Sequence, residues 1–279
     1  MATVLITGCS SGFGKLSALN FARKGDTVFA SMRNTAKAGE LEHAKQAESL
    51  PIEIVQLDVT DDASVEGAVR QVIDTAGGID VLVNNAGLGI HGPLEETDDD
   101  EMKEIFETNF FGAMRVMRAV VPKMREQKSG TIVNVSSLAG RVVAPYGGIY
   151  SASKYALEAA SEALHYELHP FGIRVLLIEP GGFETEFDGN RRLARRFTEG
   201  SPYLELEQRF EQSLTRLPGG NERGDAQDVA EAIYNAVNTD QPKFRYLVGQ
   251  DAELIGGLRR QMDDEQFEQA MRQTLDFWD

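Results

Sequence analysis

The sequence predicts an α/β fold, a single-domain, doubly wound parallel sheet flanked by helices. Three observations predict it. Short β-branched runs alternate with longer segments of helical period, the order that builds βαβ units. Those runs are almost continuously apolar instead of alternating, so each strand is covered on both faces. A glycine-rich turn separates the first strand from the first helix, and an apolar fraction of 42% over 279 residues supplies one large core.

"TVLIT" (3–7) reads as the first buried strand, followed by the glycine turn and a helix over about 13–24. "TVFAS" (27–31) and "IEIVQL" (52–57) are the second and third strands. "SVEGAVRQVIDTAG" (64–77) is helical in period and ends on a glycine that would cap it. "DVLVNNAG" (80–87) is a fourth strand breaking into a turn. A long helix spans about 99–127, with Asp98 and Glu101 spaced as a capping box. "GTIVNVSS" (130–137) is the fifth strand, 151–169 a helix halted by Pro170, and "IRVLLIEPGG" (173–182) the sixth strand. Residues 183–224 are polar, charged and irregular; they read as a substrate loop or lid, or equally as a plain surface insertion. A helix at 225–238 and a strand at 244–249 follow, then an acidic, helix-prone C-terminal extension over 250–279.

The net charge of −16, from 28 basic and 44 acidic side chains, argues against a nucleic-acid or anionic-membrane partner. One cysteine, Cys9, rules out an intramolecular disulfide and a cysteine-rich zinc site, and it reads as a small filler. His165 and His169 are four apart on a helix, without an acidic third ligand at a recognisable spacing, so no metal site is expected. No basic leader and no run of about 18 apolar residues is present, so a cytoplasmic location is expected. "NVS" (134–136) matches a glycosylation acceptor but lies inside a strand and is discounted.

"TGCSSGFG" (7–14) sits between the first strand and helix. Gly8 permits a tight turn, and Gly12 and Gly14 let a backbone or ligand approach with no β-carbon in the way. With Ser10, Ser11 and Phe13 completing the loop, a helix N-terminus faces any anion that enters, which makes a pyrophosphate cradle. Lys15 is not followed by Ser or Thr, so the loop is no Walker A motif, and that lysine reads as a solvated helix residue. At the end of the second strand Met32 stands where a ribose-binding carboxylate would fall, and Arg33 beside it suits a 2′-phosphate. The expected cofactor is therefore NADP(H), with NAD(H) the alternative.

"IYSASKYALEA" (149–159) places Tyr150 and Lys154 four apart, on one face of a helix. A phenol has a pKa near ~10, and a positive neighbour favours its phenolate, so the pair reads as a tuned acid and base. Alternatively, these are two residues of a partly exposed helix.

In their order, "TGCSSGFG", "NNAG" (84–87), "NFFG" (109–112), "SS" with "YSASK" (136–154) and "PGGFET" (180–185) resemble the short-chain dehydrogenase/reductase family, the branch with TGxxxGxG and Tyr-x-x-x-Lys. The resemblance covers about residues 2–185 and implies a Rossmann-type sheet and carbonyl–alcohol interconversion by hydride transfer. It implies that Tyr150 is the acid in reduction and the base in oxidation, and that Lys154 holds the nicotinamide ribose and lowers the Tyr150 pKa. Ser137 matches the serine that binds the substrate oxygen, with Ser136 its alternative if the register slips by one. Asn109 matches a residue that positions a relay water; it could instead tie neighbouring backbone as a buried amide. Asp58 would meet the adenine, Asn85, Ala86 and Gly87 the ribose, and Pro180, Gly181 and Thr185 the nicotinamide end. Tyr146, His91 and Phe183 either line the substrate site or pack as aromatics. The resemblance further implies an apolar substrate, such as a steroid, retinoid or aryl carbonyl, and a homodimer or homotetramer built on the helices at 99–127 and 151–169. A dinucleotide-sensing regulator without turnover is the rival reading.

Overall fold

Strand β1 (Thr3–Ile6) runs through the middle of the molecule, paired in parallel with β2 (Thr27–Met32) on one side and β4 (Val81–Asn84) on the other. Beyond β2 lies β3 (Ile52–Gln56); beyond β4 come β6 (Gly130–Val135), β7 (Ile173–Pro180) and β9 (Arg245–Val248). The resulting seven-stranded sheet has the order β3-β2-β1-β4-β6-β7-β9, with every pair parallel. Winding reverses between β1 and β4, and a crevice opens there at the carboxyl ends of the strands. The computed structural model describes residues 1–186, 191–217 and 223–278.

The near-continuous apolar strands are explained by the two layers they serve. Val4 and Ile6 point into one core, against Phe21 of α1 (Gly12–Arg23) and Ile233 of α8 (Ala226–Asn238). Leu5, between them, points into the opposite core with Val69 of α3 (Asp62–Ala76), Val116 of α5 (Ala113–Gln127) and Leu157 of α6 (Gly148–Leu168). Alternation of direction with no alternation of polarity is what burial on both faces requires.

Four features depart from the sequence reading. Helix α2 (Gly39–Glu48) stands between β2 and β3 where no element was expected; Leu41 is its only buried residue, so it has no apolar stripe to read. The long helix at 99–127 is instead α4 (Asp99–Phe106), a π-helical turn (Glu107–Gly112) and α5. Its Asp98–Glu101 capping box is present as expected. Within the span read as irregular, α7 (Leu204–Ser213) forms around a buried Phe210, and β8 (Arg192–Leu193) pairs with β5 (Ile90–His91). Helix α6 begins before Tyr150, placing it in the first turn and Lys154 in the second. The chain then continues through α9 (Gln250–Gln261) and α10 (Asp264–Leu275). Among the described residues no helix is long and apolar enough to cross a membrane.

Two glycines test the packing at the sheet reversal. A β-carbon on Gly14 would meet the Gly8 carbonyl oxygen and the Asn85 side chain, whereas one on Gly39 would meet nothing within 4 Å. Gly14→Ala should therefore cost about 1–3 kcal/mol, and Gly39→Ala should be neutral or stabilising by about 0.4–1 kcal/mol. Urea denaturation of both variants checks the contrast.

Candidate active site

The loop after β1 rests directly on the turn after β4. Gly8 takes a φ of +74°, and a β-carbon there would lie 2.8 Å from the Ala86 Cα. Thr7 Oγ1 accepts from the backbone of Asn85 at 3.0 Å and of Ala86 at 3.1 Å, while Asn85 Nδ2 donates to the carbonyls of Thr7 and Gly8 at 3.0 and 3.1 Å. Gly12, with φ +53°, begins α1, and a β-carbon there would find nothing nearer than Thr185 Cβ at 3.7 Å. The first turn of α1 carries no acidic residue. Bare backbone at a helix N-terminus, in a concave setting, is an anion cradle.

A cleft of about 960 Å³ runs from this loop across the sheet edge. The first loop lines it with Gly8, Ser10, Ser11, Gly12 and Phe13. Arg33 enters from the end of β2 and Asp58 from beyond β3. Asn85, Ala86 and Gly87 follow β4, and Gly181 and Thr185 follow β7. Gly14 lies below the loop against Gly8, and Pro180 is buried at the end of β7. Arg33 is exposed and has no ion-pair partner among the described residues. Lys37, one 3₁₀ turn further on, lines the same end; the sequence reading passed over it, although a second cation so close to Arg33 was visible. The Asp58 carboxylate accepts from Thr60 N at 3.0 Å and Thr60 Oγ1 at 2.7 Å, which holds its own turn. Lys15 is not a solvated residue: its ammonium pairs with Glu40 at 2.5 Å. Cys9 is fully buried, its Sγ donating to the Ile6 carbonyl at 3.3 Å, and burial pushes the thiol far above its ordinary range.

Ser137, Tyr150 and Lys154 meet at the inner end of this cleft. Ser137 Oγ accepts from Ala139 N at 3.1 Å, donates to the Pro180 carbonyl at 3.4 Å and hydrogen-bonds the Tyr150 side chain. Ser136, the alternative, is buried with its hydroxyl unpartnered. The Lys154 ammonium donates to the Val135 carbonyl at 2.9 Å and sits 5.7 Å from the centre of the Tyr150 ring. Burial holds Lys154 down to about 8, opposed by the charge of Glu158. Burial pushes the Tyr150 phenol up to about 12, opposed by the Ser137 hydrogen bond. Desolvation of the phenol outweighs the Ser137 hydrogen bond, so the net shift of Tyr150 is upward and not toward neutral pH. The Lys154 ammonium hydrogen-bonds a backbone carbonyl.

Asn109 sits in the π-helical turn and is buried. Its Nδ2 donates to the Leu88 carbonyl and to Ser153 Oγ, both at 3.0 Å, and its Oδ1 accepts from Leu88 N at 2.8 Å. Both amide hydrogens are therefore spent on tying the wall behind Gly87.

A second cavity, of about 800 Å³, opens from the cleft at Ser137 and Gly181. Val142, Val143 and Tyr146 form one wall, Phe210 of α7 and Leu214 another, and Phe267, Met271 and Leu275 of α10 a third. The last three recur every four residues, a stripe that was legible but had no assigned partner. Helix α9 is tied to the turn after β7 at the cleft, since Asp251 Oδ2 accepts from Gly182 N at 2.7 Å. Tyr146 both lines this chamber and packs on His91 and Phe210; Phe183 borders the cleft and packs edge-on against Phe13. His91 is buried and bonds Glu207 at 2.6 Å, fastening α7 to β5, with Glu211 at 3.6 Å. The His165 ring bonds the Val175 carbonyl and stacks near Phe244. Asn134 is fully buried, which accords with discounting the glycosylation triplet.

Residues 2–196 match the family model of the short chain dehydrogenases. The chain is 39% identical over 248 residues to 3-ketodihydrosphingosine reductase of Bacteroides thetaiotaomicron, covering 88% of this chain and 87% of that one. It is 38% identical to human retinol dehydrogenase 8, covering 87% and 80% of the two chains. A short-chain dehydrogenase of Streptomyces avermitilis superposes with a TM-score of 0.81 at 35% identity, over 98% of both chains. Solved neighbours hold either dinucleotide. A gluconate 5-dehydrogenase of Burkholderia cenocepacia is in complex with NADP (25% identity, TM-score 0.76, 91% and 95% covered). A short-chain dehydrogenase/reductase of Burkholderia phymatum is in complex with NAD (25%, 0.80, 96% and 95%). The chain belongs to the short-chain dehydrogenase/reductase family and is an oxidoreductase that uses a nicotinamide dinucleotide.

Removing the Asn109 side chain strands the Leu88 N–H and carbonyl and takes one bond from Ser153 Oγ, which keeps its bond to the Tyr150 carbonyl. Asn109→Ala should lower stability by about 1–3 kcal/mol, read as a shift of the urea midpoint. An unmoved midpoint would show that the amide does not hold this wall.

Proposed function

We propose that this chain is an NADP(H)-dependent oxidoreductase that interconverts a carbonyl and an alcohol on an apolar small molecule. The observation that carries the reading is the apolar chamber opening into the dinucleotide cleft at Ser137, beside Tyr150. A substrate with its apolar body in the chamber would present its oxygen to two hydroxyls. Relatives named for a ketodihydrosphingosine and a retinol support this class of substrate.

The cofactor fits the cleft: the bare Gly12 backbone at the α1 N-terminus suits the pyrophosphate, and Arg33 and Lys37 suit a 2′-phosphate. Asp58 would border the adenine, Asn85 to Gly87 the adjoining ribose, and Pro180, Gly181 and Thr185 the nicotinamide end. When bound, the nicotinamide donates or accepts the hydride. The rest falls to this chain's residues. Ser137 and Tyr150 hydrogen-bond the substrate oxygen and stabilise the negative charge that develops on it. A phenol held near 12 is protonated at neutral pH, which fits Tyr150 as the acid in reduction. Lys154, charged below about 8, would hold the nicotinamide ribose and favour charge development at Tyr150.

Exposed Phe111 and Tyr166, on the π turn and α6, support a homodimer or homotetramer. The net charge of −16 supports a protein without nucleic-acid or anionic-membrane partners.

Fluorescence titration with NADPH and NADH tests the cofactor. Arg33→Ala should weaken NADPH by about 10- to 100-fold, the worth of a charged hydrogen bond, and leave NADH unchanged. Tyr150→Phe should retain NADPH binding while carbonyl reduction falls by about 10²–10⁴. Preference for NADH, or indifference to Arg33, overturns the phosphate assignment; no binding of either overturns the enzymatic reading.

A further inference from the structure

Lys154 is buried, and its hydrogen bond to Val135 is with a neutral carbonyl. A buried ammonium needs an opposite charge nearby to stay protonated. One helical turn beyond it, Glu158 is 4% exposed. Glu158 Oε2 accepts from Arg245 Nε at 3.0 Å, while its Oε1 has no hydrogen-bond partner. The nearby Ser136 hydroxyl is likewise buried and unpartnered. Gly140 lets these groups converge: a β-carbon there would lie 2.7 Å from Ser136 Oγ, 3.0 Å from Glu158 Cγ and 3.4 Å from Lys154 Cβ.

The charged groups around Glu158 come from every element packed on it. Its own helix contributes Lys154, Tyr155 and Glu162; β7 contributes Glu179, β9 contributes Arg245, and the turn after Ser137 contributes Arg141. Arg245 also reaches Glu162 at 2.7 Å and Glu179 at 3.3 Å, and Arg141 reaches Glu179 at 3.4 Å. Three cations thus face three carboxylates, and among the described residues Lys154 has no direct ion pair. We propose that Glu158 is a positioning residue that keeps Lys154 in its ammonium form, coupling the lysine to the Arg245–Glu179–Arg141 network. The role rests on the enzymatic reading above, in which that ammonium holds the cofactor ribose.

The neighbouring groups support it. Glu158 is the charge that raises Lys154 against burial. Glu179 is pushed up to about 7, first by burial and then by Glu158.

The test is the pH dependence of NADPH affinity, read by fluorescence from pH 6 to 9.5 in wild type, Glu158→Gln, Glu158→Asp and Glu162→Gln. Wild-type affinity should weaken as pH rises through the Lys154 value of about 8. In Glu158→Gln the same weakening should begin about one pH unit lower, so that affinity matches wild type at pH 6 and is several-fold poorer at pH 8. Glu158→Asp, which keeps a withdrawn carboxylate, should shift less in the same direction, and it carries the test if the glutamine variant does not fold. Glu162→Gln removes an Arg245 partner away from Lys154 and should leave the midpoint in place. An unmoved midpoint in both Glu158 variants, or an equal shift in Glu162→Gln, overturns the assignment to Glu158 alone. Wild type that fails to bind NADPH at any pH overturns the enzymatic reading, and this inference with it.

Discussion

The seam between β1 and β4 governs where everything else at the site can lie. The sheet reverses there, and the β1 loop can sit on the β4 turn only because Gly8 has no side chain to hold it off Ala86. Thr7 and Asn85 then anchor four hydrogen bonds across the seam, so two strands distant in sequence end in one rigid floor. The helix α1 N-terminus is aimed by that floor, and Gly87 is carried to within reach of Asn109 and Lys154. Loops carry the chemistry, but their positions come from strand ends that cannot shift without breaking this seam.

Two buried titratable groups give the inner end its character, and burial drives them in opposite senses. The Tyr150 phenol becomes a weaker acid and the Lys154 ammonium a stronger one, because low-dielectric surroundings disfavour whichever form is charged. Keeping the lysine charged against that pressure costs roughly 3 kcal/mol relative to an exposed lysine. The cost is full below about 8, where both folded and unfolded chains are protonated, and it disappears as pH rises toward the ordinary lysine value of 10.5. The site therefore spends stability at working pH on a charge that the fold alone has no use for, as is common where chemistry is done.

Much of this was legible in the sequence, and the reason is physical. The strands announced themselves because each is buried on both faces. The glycine loop did so because three glycines between a strand and a helix leave bare backbone where an anion can approach. The Ser137–Tyr150–Lys154 cluster was legible through the order of short motifs. What escaped had no periodic signal: α2 buries a single leucine, and α7 is a charged helix nucleated on Phe210. The π turn at Glu107–Gly112 is a local winding choice within an unbroken helical pattern, and no composition marks it. The net upward shift of Tyr150 was not legible because proximity in sequence shows which charges are near but not how much water has been removed. Glu158, by contrast, lay one turn past the lysine in plain view; only its burial set it apart from an ordinary helix-surface acid.

The hydrogen bond from Gly182 to Asp251 reaches further than its length. It joins the turn after β7, at the inner end of the cleft, to α9, the helix that leads into the chamber wall on α10. A displacement of the C-terminal helices would therefore pull on that turn, and a tightening of the turn would be felt in the chamber. Occupants of cleft and chamber coupled through such contacts would each change the other's affinity by the same factor.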